Sequence, residues 1–99
     1  MIRADFVYEV ETKNLDKLMA KFQQSGAEKF NSEPTHVKME MAMREEYDKT
    51  YVSLNFYYNS LEDYMTRSKF EQSQSEWMDI WFTPNDFFKQ VSLNVYEIN

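Results

Sequence analysis

The sequence predicts an α+β fold: one four-stranded antiparallel sheet with helices on one of its faces. Three observations predict it. Apolar patterns follow one another in the order strand, helix, strand, strand, helix, strand within 99 residues. Each strand run alternates an oily face with a polar, hydrogen-bonding one. Both helical runs carry an apolar stripe at helical spacing. The oily faces and stripes make one core, and the second sheet face is left for water or for another molecule.

The first strand runs from Ile2 to Val10, with Ile2, Ala4, Phe6, Tyr8 and Val10 on one face and Arg3, Asp5, Val7 and Glu9 on the other. The first helix follows Asn14, a good N-cap, with Asp16 in the first turn. Leu15, Leu18, Met19 and Phe22 form its stripe. Either Gly26 stops it, or Ala27 and Phe30 extend it to about Asn31. Asn31 to Thr35, with Pro34, is a loop on both readings.

The second strand spans about His36 to Arg44 and places Val37, Met39, Met41 and Met43 on the core face. Glu45 to Lys49 reads as the hairpin turn. The third strand, Thr50 to Tyr58, puts Val52, Leu54, Phe56 and Tyr58 inward and Tyr51, Ser53, Asn55 and Tyr57 outward. Ser60 is an N-cap for a second helix, with Glu62 and Asp63 behind it and a stripe of Leu61, Tyr64 and Met65. The polar stretch Glu71 to Glu76 interrupts that stripe. Trp77, Met78, Trp81 and Phe82 resume it as a second short helix, and Thr83-Pro84-Asn85-Asp86 ends it. The fourth strand, Phe88 to Ile98, sets Val91, Leu93 and Val95 against Gln90, Ser92, Asn94 and Tyr96.

Composition narrows the chemistry. Residues 1–99 make one domain by length. Seventeen acidic against 11 basic side chains give a net charge of −6, which repels phosphate backbones and anionic lipid surfaces. Neither nucleic acid nor a membrane is an expected partner. The absence of cysteine excludes disulfides, thiolate catalysis and thiolate metal sites. A single glycine, Gly26, excludes a phosphate-cradling glycine loop. No metal and no cofactor is expected. The N-terminal residues run straight into Asp5 and Glu9 without a signal-peptide pattern, so the expectation is a cytoplasmic protein.

Two β-α-β units joined by a hairpin give a ferredoxin-like βαββαβ sandwich with both helices on one side. The stretch Phe56-Tyr57-Tyr58-Asn59-Ser60-Leu61-Glu62-Asp63-Tyr64, followed by Ser75-Glu76-Trp77-Met78-Asp79-Ile80-Trp81, resembles the central segment of the dimeric α+β barrel superfamily. That group includes antibiotic-biosynthesis-monooxygenase-like, stress-responsive barrel and NIPSNAP-like domains. The resemblance implies a homodimer whose two sheets close face to face, so that the polar faces line a lumen. Haem-degrading members carry an iron-ligating histidine in the second helical region. This chain has none between Leu61 and Phe82, so haem is not expected.

Candidate site residues follow. Asp5, Tyr51, Asn55, Tyr57 and Asn94 are lumen positions whose amides and phenols suit an anionic, oxygenated molecule, or a polar ladder between subunits. His36 joins them as the one histidine, titrating in the range of a general base but lacking an acidic neighbour in sequence. Trp77 and Trp81, i and i+4 on one helical face, serve as a pocket wall or as core. The expected function is a small homodimeric barrel binding a small aromatic or anionic molecule between sheet and helices. A cofactor-independent monooxygenase on the same frame and a non-enzymatic interaction or regulatory module are the alternatives, and no catalytic residue is assigned.

Overall fold

The computed structural model describes residues 1–31, 33–82 and 87–98, and of Glu28 the backbone alone. The elements are β1 (Ile2–Glu11), α1 (Leu15–Ser25), β2 (Lys38–Glu46), β3 (Lys49–Tyr58), α2 (Leu61–Ser73), α3 (Ser75–Phe82) and β4 (Phe88–Glu97), with 3-10 turns at Thr12–Asn14 and Glu28–Phe30. The four strands form one antiparallel sheet in the order β2-β3-β1-β4. Among the described residues, no helix is long and apolar enough to cross a membrane.

The period-two pattern of β1 is realised in the burial: Ile2, Ala4, Tyr8 and Val10 are buried, and the residues between them are not. Tyr8 and Val10 join Val52 and Leu54 of β3 and Leu18 of α1 in one core. Phe22 of α1 and Trp81 of α3 pack on the same cluster, and the Trp81 ring stacks on Tyr8 at 5.6 Å. Tyr64 of α2 meets Tyr58 edge-on at 5.4 Å. All three helices therefore lean on one sheet face.

Local signals explain the helix ends. Ser60 Oγ accepts the Asp63 amide at 3.1 Å, as an N-cap should, and Glu62 and Asp63 sit in the first turn. Ser60→Ala is expected to cost about 1 kcal/mol, read as a lowered urea midpoint at unchanged slope. Asn14 precedes α1 without a side-chain cap bond, because the chain enters through the 3-10 turn instead. The two readings of the end of α1 are both partly realised. The α-helix stops at Ser25 with Gly26 as C-cap, and a separate 3-10 turn then carries Phe30 into a buried position.

Some expectations change. β2 starts at Lys38, two residues after His36, and extends to Glu46, so the hairpin turn is only Tyr47-Asp48. Met39, Met41 and Met43 are not core: they remain 45%, 38% and 52% exposed. They do lie on the helix-side face, opposite Phe56, Leu54 and Val52, but β2 is an edge strand beyond the reach of the helices. Val91, Leu93 and Val95 on the other edge are exposed for the same reason. The register of β4 against β1 shifts between Val7 and Tyr8, which sets Gln90 opposite Tyr8 rather than in step with Ser92. The Thr83-Pro84-Asn85-Asp86 stop lies outside the described residues.

Candidate functional site

Two polar assemblies stand on opposite sides of the sheet. On the helix-free face, the register builds rows across the strands. Asp5 lies opposite both Asn55 and Asn94, so these three candidates form one row, with Glu40 beyond Asn55. Tyr57 stands in the next row with Arg3, Lys38 and Tyr96. Tyr51 is two rows away on the other side, with Glu9 and Arg44. Between them runs a row of small side chains, Ala42, Ser53, Val7 and Ser92.

The charges on this face are satisfied along the strands and across them. Arg3 Nε donates to Asp5 Oδ1 at 2.8 Å, and the Arg3 guanidinium lies over the Tyr96 ring. The Tyr57 hydroxyl donates to Glu40 Oε1 at 2.6 Å, holding that carboxyl below its usual range and raising the phenol. Lys49 Nζ donates to Glu9 Oε1 at 2.9 Å and, with Lys89, holds Glu9 low in the same way. The Arg44 guanidinium covers the Tyr51 ring at 4.4 Å. Such a surface is self-neutralised: Asp5, Glu9 and Glu40 each have a cation or phenol beside them.

His36 is not part of that face. Its ring meets Phe56 edge-on at 5.1 Å on the helix side. Burial pushes the imidazole below its ordinary value, and the positive charge of Arg67 adds to the shift. Trp81 is also on the helix side, among Tyr8, Phe22 and Phe88, while Trp77 touches Trp81 and Phe82.

The second assembly lies under α2, where the sequence pattern pointed elsewhere. Leu61 and Met65 of the expected inward stripe are about half exposed. The inward face is Tyr64, Arg67, Ser68 and Glu71, at i, i+3, i+4 and i+7. Arg67 is only 9% exposed, and its Nε donates to Glu71 Oε2 at 3.3 Å, a long contact for an ion pair. Burial pushes the Glu71 carboxyl above its usual range, and Arg67 only partly offsets this. Burial and the Glu71 charge push the Tyr8 phenol up to about 12 and the Tyr58 phenol higher still. A guanidinium, a high-pKa carboxyl, neutral phenols and a neutral-leaning imidazole thus converge between α2 and the sheet. The chemistry available is recognition of an anionic group by Arg67 and of a ring by Tyr58, Tyr64 and Phe56.

Sequence reading missed Arg67, Glu71, Tyr58 and Tyr64 as site residues. The one available signal was that Tyr64, Arg67 and Glu71 share a helical face with each other, as Leu61 and Met65 do. A surface depression of about 350 Å³ lies elsewhere, between the end of α1 and α3, lined by Gln24, Ala27, Lys29, Glu76 and Ile80. It is open to solvent, and it gathers neither assembly, so the buried charges under α2 are the better marker. Among the described residues no three of His, Asp or Glu stand close enough to hold a metal ion.

No protein-family model matches the chain, and no curated protein matches it. Among solved structures it is similar to a structural-genomics protein, YJCS, over 100% of both chains, with a TM-score of 0.56 at 13% identity. At that identity the likeness speaks to the fold alone, a small α+β unit with a four-stranded antiparallel sheet.

Proposed function

We propose that the protein is a small homodimeric barrel of ferredoxin-like protomers that binds an aromatic anion between α2 and the sheet. The observation that carries this reading is the inward row of α2. A helix that turns Arg67 and Glu71 toward the sheet while leaving Leu61 and Met65 half exposed gives up apolar burial to hold charge inside. Burying a charge pair rarely stabilises a fold relative to apolar packing, so a ligand is the better reason for it. In this reading Arg67 takes the anionic group, and the Tyr58, Tyr64 and Phe56 rings take the aromatic body. His36, edge-on to Phe56, closes the outer side.

The strand order and the placing of all helices on one face leave the other sheet face open to a second sheet, which supports the barrel part of the reading. The small-residue row through Val7 and Ser53 leaves room for a second sheet to approach, with the Asp5-Asn55-Asn94 row beside it. Light scattering checks the pairing. A monomer at all concentrations would discard the barrel and leave the proposed α2 site standing.

Salicylate is a suitable probe for the site between α2 and the sheet. It is expected to raise the melting temperature of the wild type and of Leu61→Ala, and not of Arg67→Met combined with Glu71→Leu, which keeps the packing volume. An equal shift in that double variant would overturn the assignment, as would no shift with any aromatic carboxylate. Binding is expected to tighten as pH falls. A bound carboxylate adds negative charge beside Glu71, raises its pKa further and so draws in a proton. Glu71→Gln is expected to flatten this dependence in titration calorimetry. An oxygen electrode with quinol-type aromatics decides whether a bound molecule also reacts.

A further inference from the structure

The two outer edges of the sheet are built differently. The β4 edge is broken by the register shift opposite Val7 and Tyr8, a device that spoils pairing with a further strand. The β2 edge has no such break. Its residues Lys38 to Glu46 pair with β3 in unbroken register, all nine are exposed, and no strand lies beyond them. A long, regular, exposed edge is a template for another strand unless its side chains forbid it.

The side chains of β2 forbid most partners and match one. On the helix-free face the order is Lys38, Glu40, Ala42, Arg44, Glu46. Within the protomer these charges pair along the strand, Lys38 with Glu40 and Arg44 with Glu46. A second copy laid parallel and in register would set like charge against like. A copy laid antiparallel about a twofold axis at Ala42 sets Lys38 against Glu46 and Glu40 against Arg44, twice each, with the two small Ala42 side chains at the axis. On the helix side the same register sets Met41 against Met43, and both are partly exposed in the protomer. Directly opposed side chains of opposite charge favour pairing, and like charges oppose it.

We propose that β2 is a self-pairing edge, joining two copies antiparallel about Ala42 into one continuous eight-stranded sheet. This contact uses the strand edge, whereas the barrel pairing uses the helix-free sheet face, so the two are separate claims.

The absence of cysteine makes the test clean. Met41→Cys and Met43→Cys are prepared separately, and each replaces an exposed side chain, so neither endangers the core. Directly opposed Cβ atoms stand about 4.5–5.5 Å apart, close to disulfide reach. Under mild oxidation a mixture of the two variants is expected to form the mixed disulfide, and each variant alone to remain largely uncrosslinked. Both positions are on the helix side, so face-to-face barrel pairing cannot bring them together. Glu40→Arg is expected to weaken edge association about tenfold in sedimentation, because two symmetric contacts turn repulsive. Adding Arg44→Glu is expected to restore it. Absence of the mixed disulfide, or association indifferent to Glu40→Arg, overturns the proposal, and in the second case leaves the barrel face as the contact. Failure of the double variant to recover also overturns it.

Discussion

Truncating Arg67 to alanine is expected to destabilise the fold by about 3 kcal/mol. The reason is the group left behind: Glu71, already pushed toward its neutral form by burial, loses the guanidinium 3.3 Å away. The low end of the usual range for breaking a buried pair applies, because the Glu71 side chain keeps 25% exposure and can be partly rehydrated. The companion experiment separates stability from function. Arg67→Met with Glu71→Leu removes both charges and is expected to be neutral or more stable by about 1–4 kcal/mol. Urea unfolding of Arg67→Met, of Glu71→Leu and of the double closes the cycle. A double variant as unstable as Arg67→Ala would mean that the pair holds the helix in place, and the ligand argument would lose its footing. The pH sign also follows. The folded-state pKa of Glu71 lies above its unfolded value, so this group's contribution is most favourable at low pH and declines as pH rises through its raised range. Glu9 and Glu40 act in the opposite sense: both are held low, so their contributions are present at neutral pH and fade on acidification.

Leu18→Ala is expected to cost about 2–5 kcal/mol, toward the upper part of that range. Leu18 is fully enclosed, the one fully buried side chain of α1, and it packs against Tyr8, Val10, Val52 and Leu54 on the two central strands. The cluster around it carries Phe22, Trp81 and Phe88, and removing three carbons from its centre leaves a space that these neighbours fill only in part. A loss below 1 kcal/mol in urea unfolding would show that α1 is loosely seated. Against a typical total stability of about 5–15 kcal/mol, the expected loss is large enough to leave part of the population unfolded at 37 °C.

Much of this frame was readable from residue order, and the reasons are specific. Alternation from Ile2 to Val10 identified a strand and its buried face, since side-chain direction repeats every two residues whatever the neighbours are. Ser60 with Glu62 and Asp63 marked the start of α2, because capping is a local interaction. The Met39, Met41, Met43 stripe was assigned to the right face and the wrong environment. Alternation gives direction, but only the sheet order reveals that β2 is an edge without a helix above it. The candidates Asp5, Asn55 and Asn94 were legible as sharing a face, and their common row needed the strand register. Arg67 and Glu71 were not legible, because arginine and glutamate on a helix are ordinarily solvated. What turned them inward is the pairing of Tyr64 with Tyr58, a contact between distant segments that fixes the rotation of α2.

The central position of β1 has a further consequence. Its two neighbours come from far along the chain: Val10 lies beside Thr50 on one side and Phe88 on the other. As the polypeptide leaves the ribosome, β1 emerges before either of them exists. It must wait, with both margins bare, until the hairpin and then β4 have been made. Folding of this sheet is therefore governed by encounters between remote segments, and it proceeds more slowly than in a helical protein of equal length.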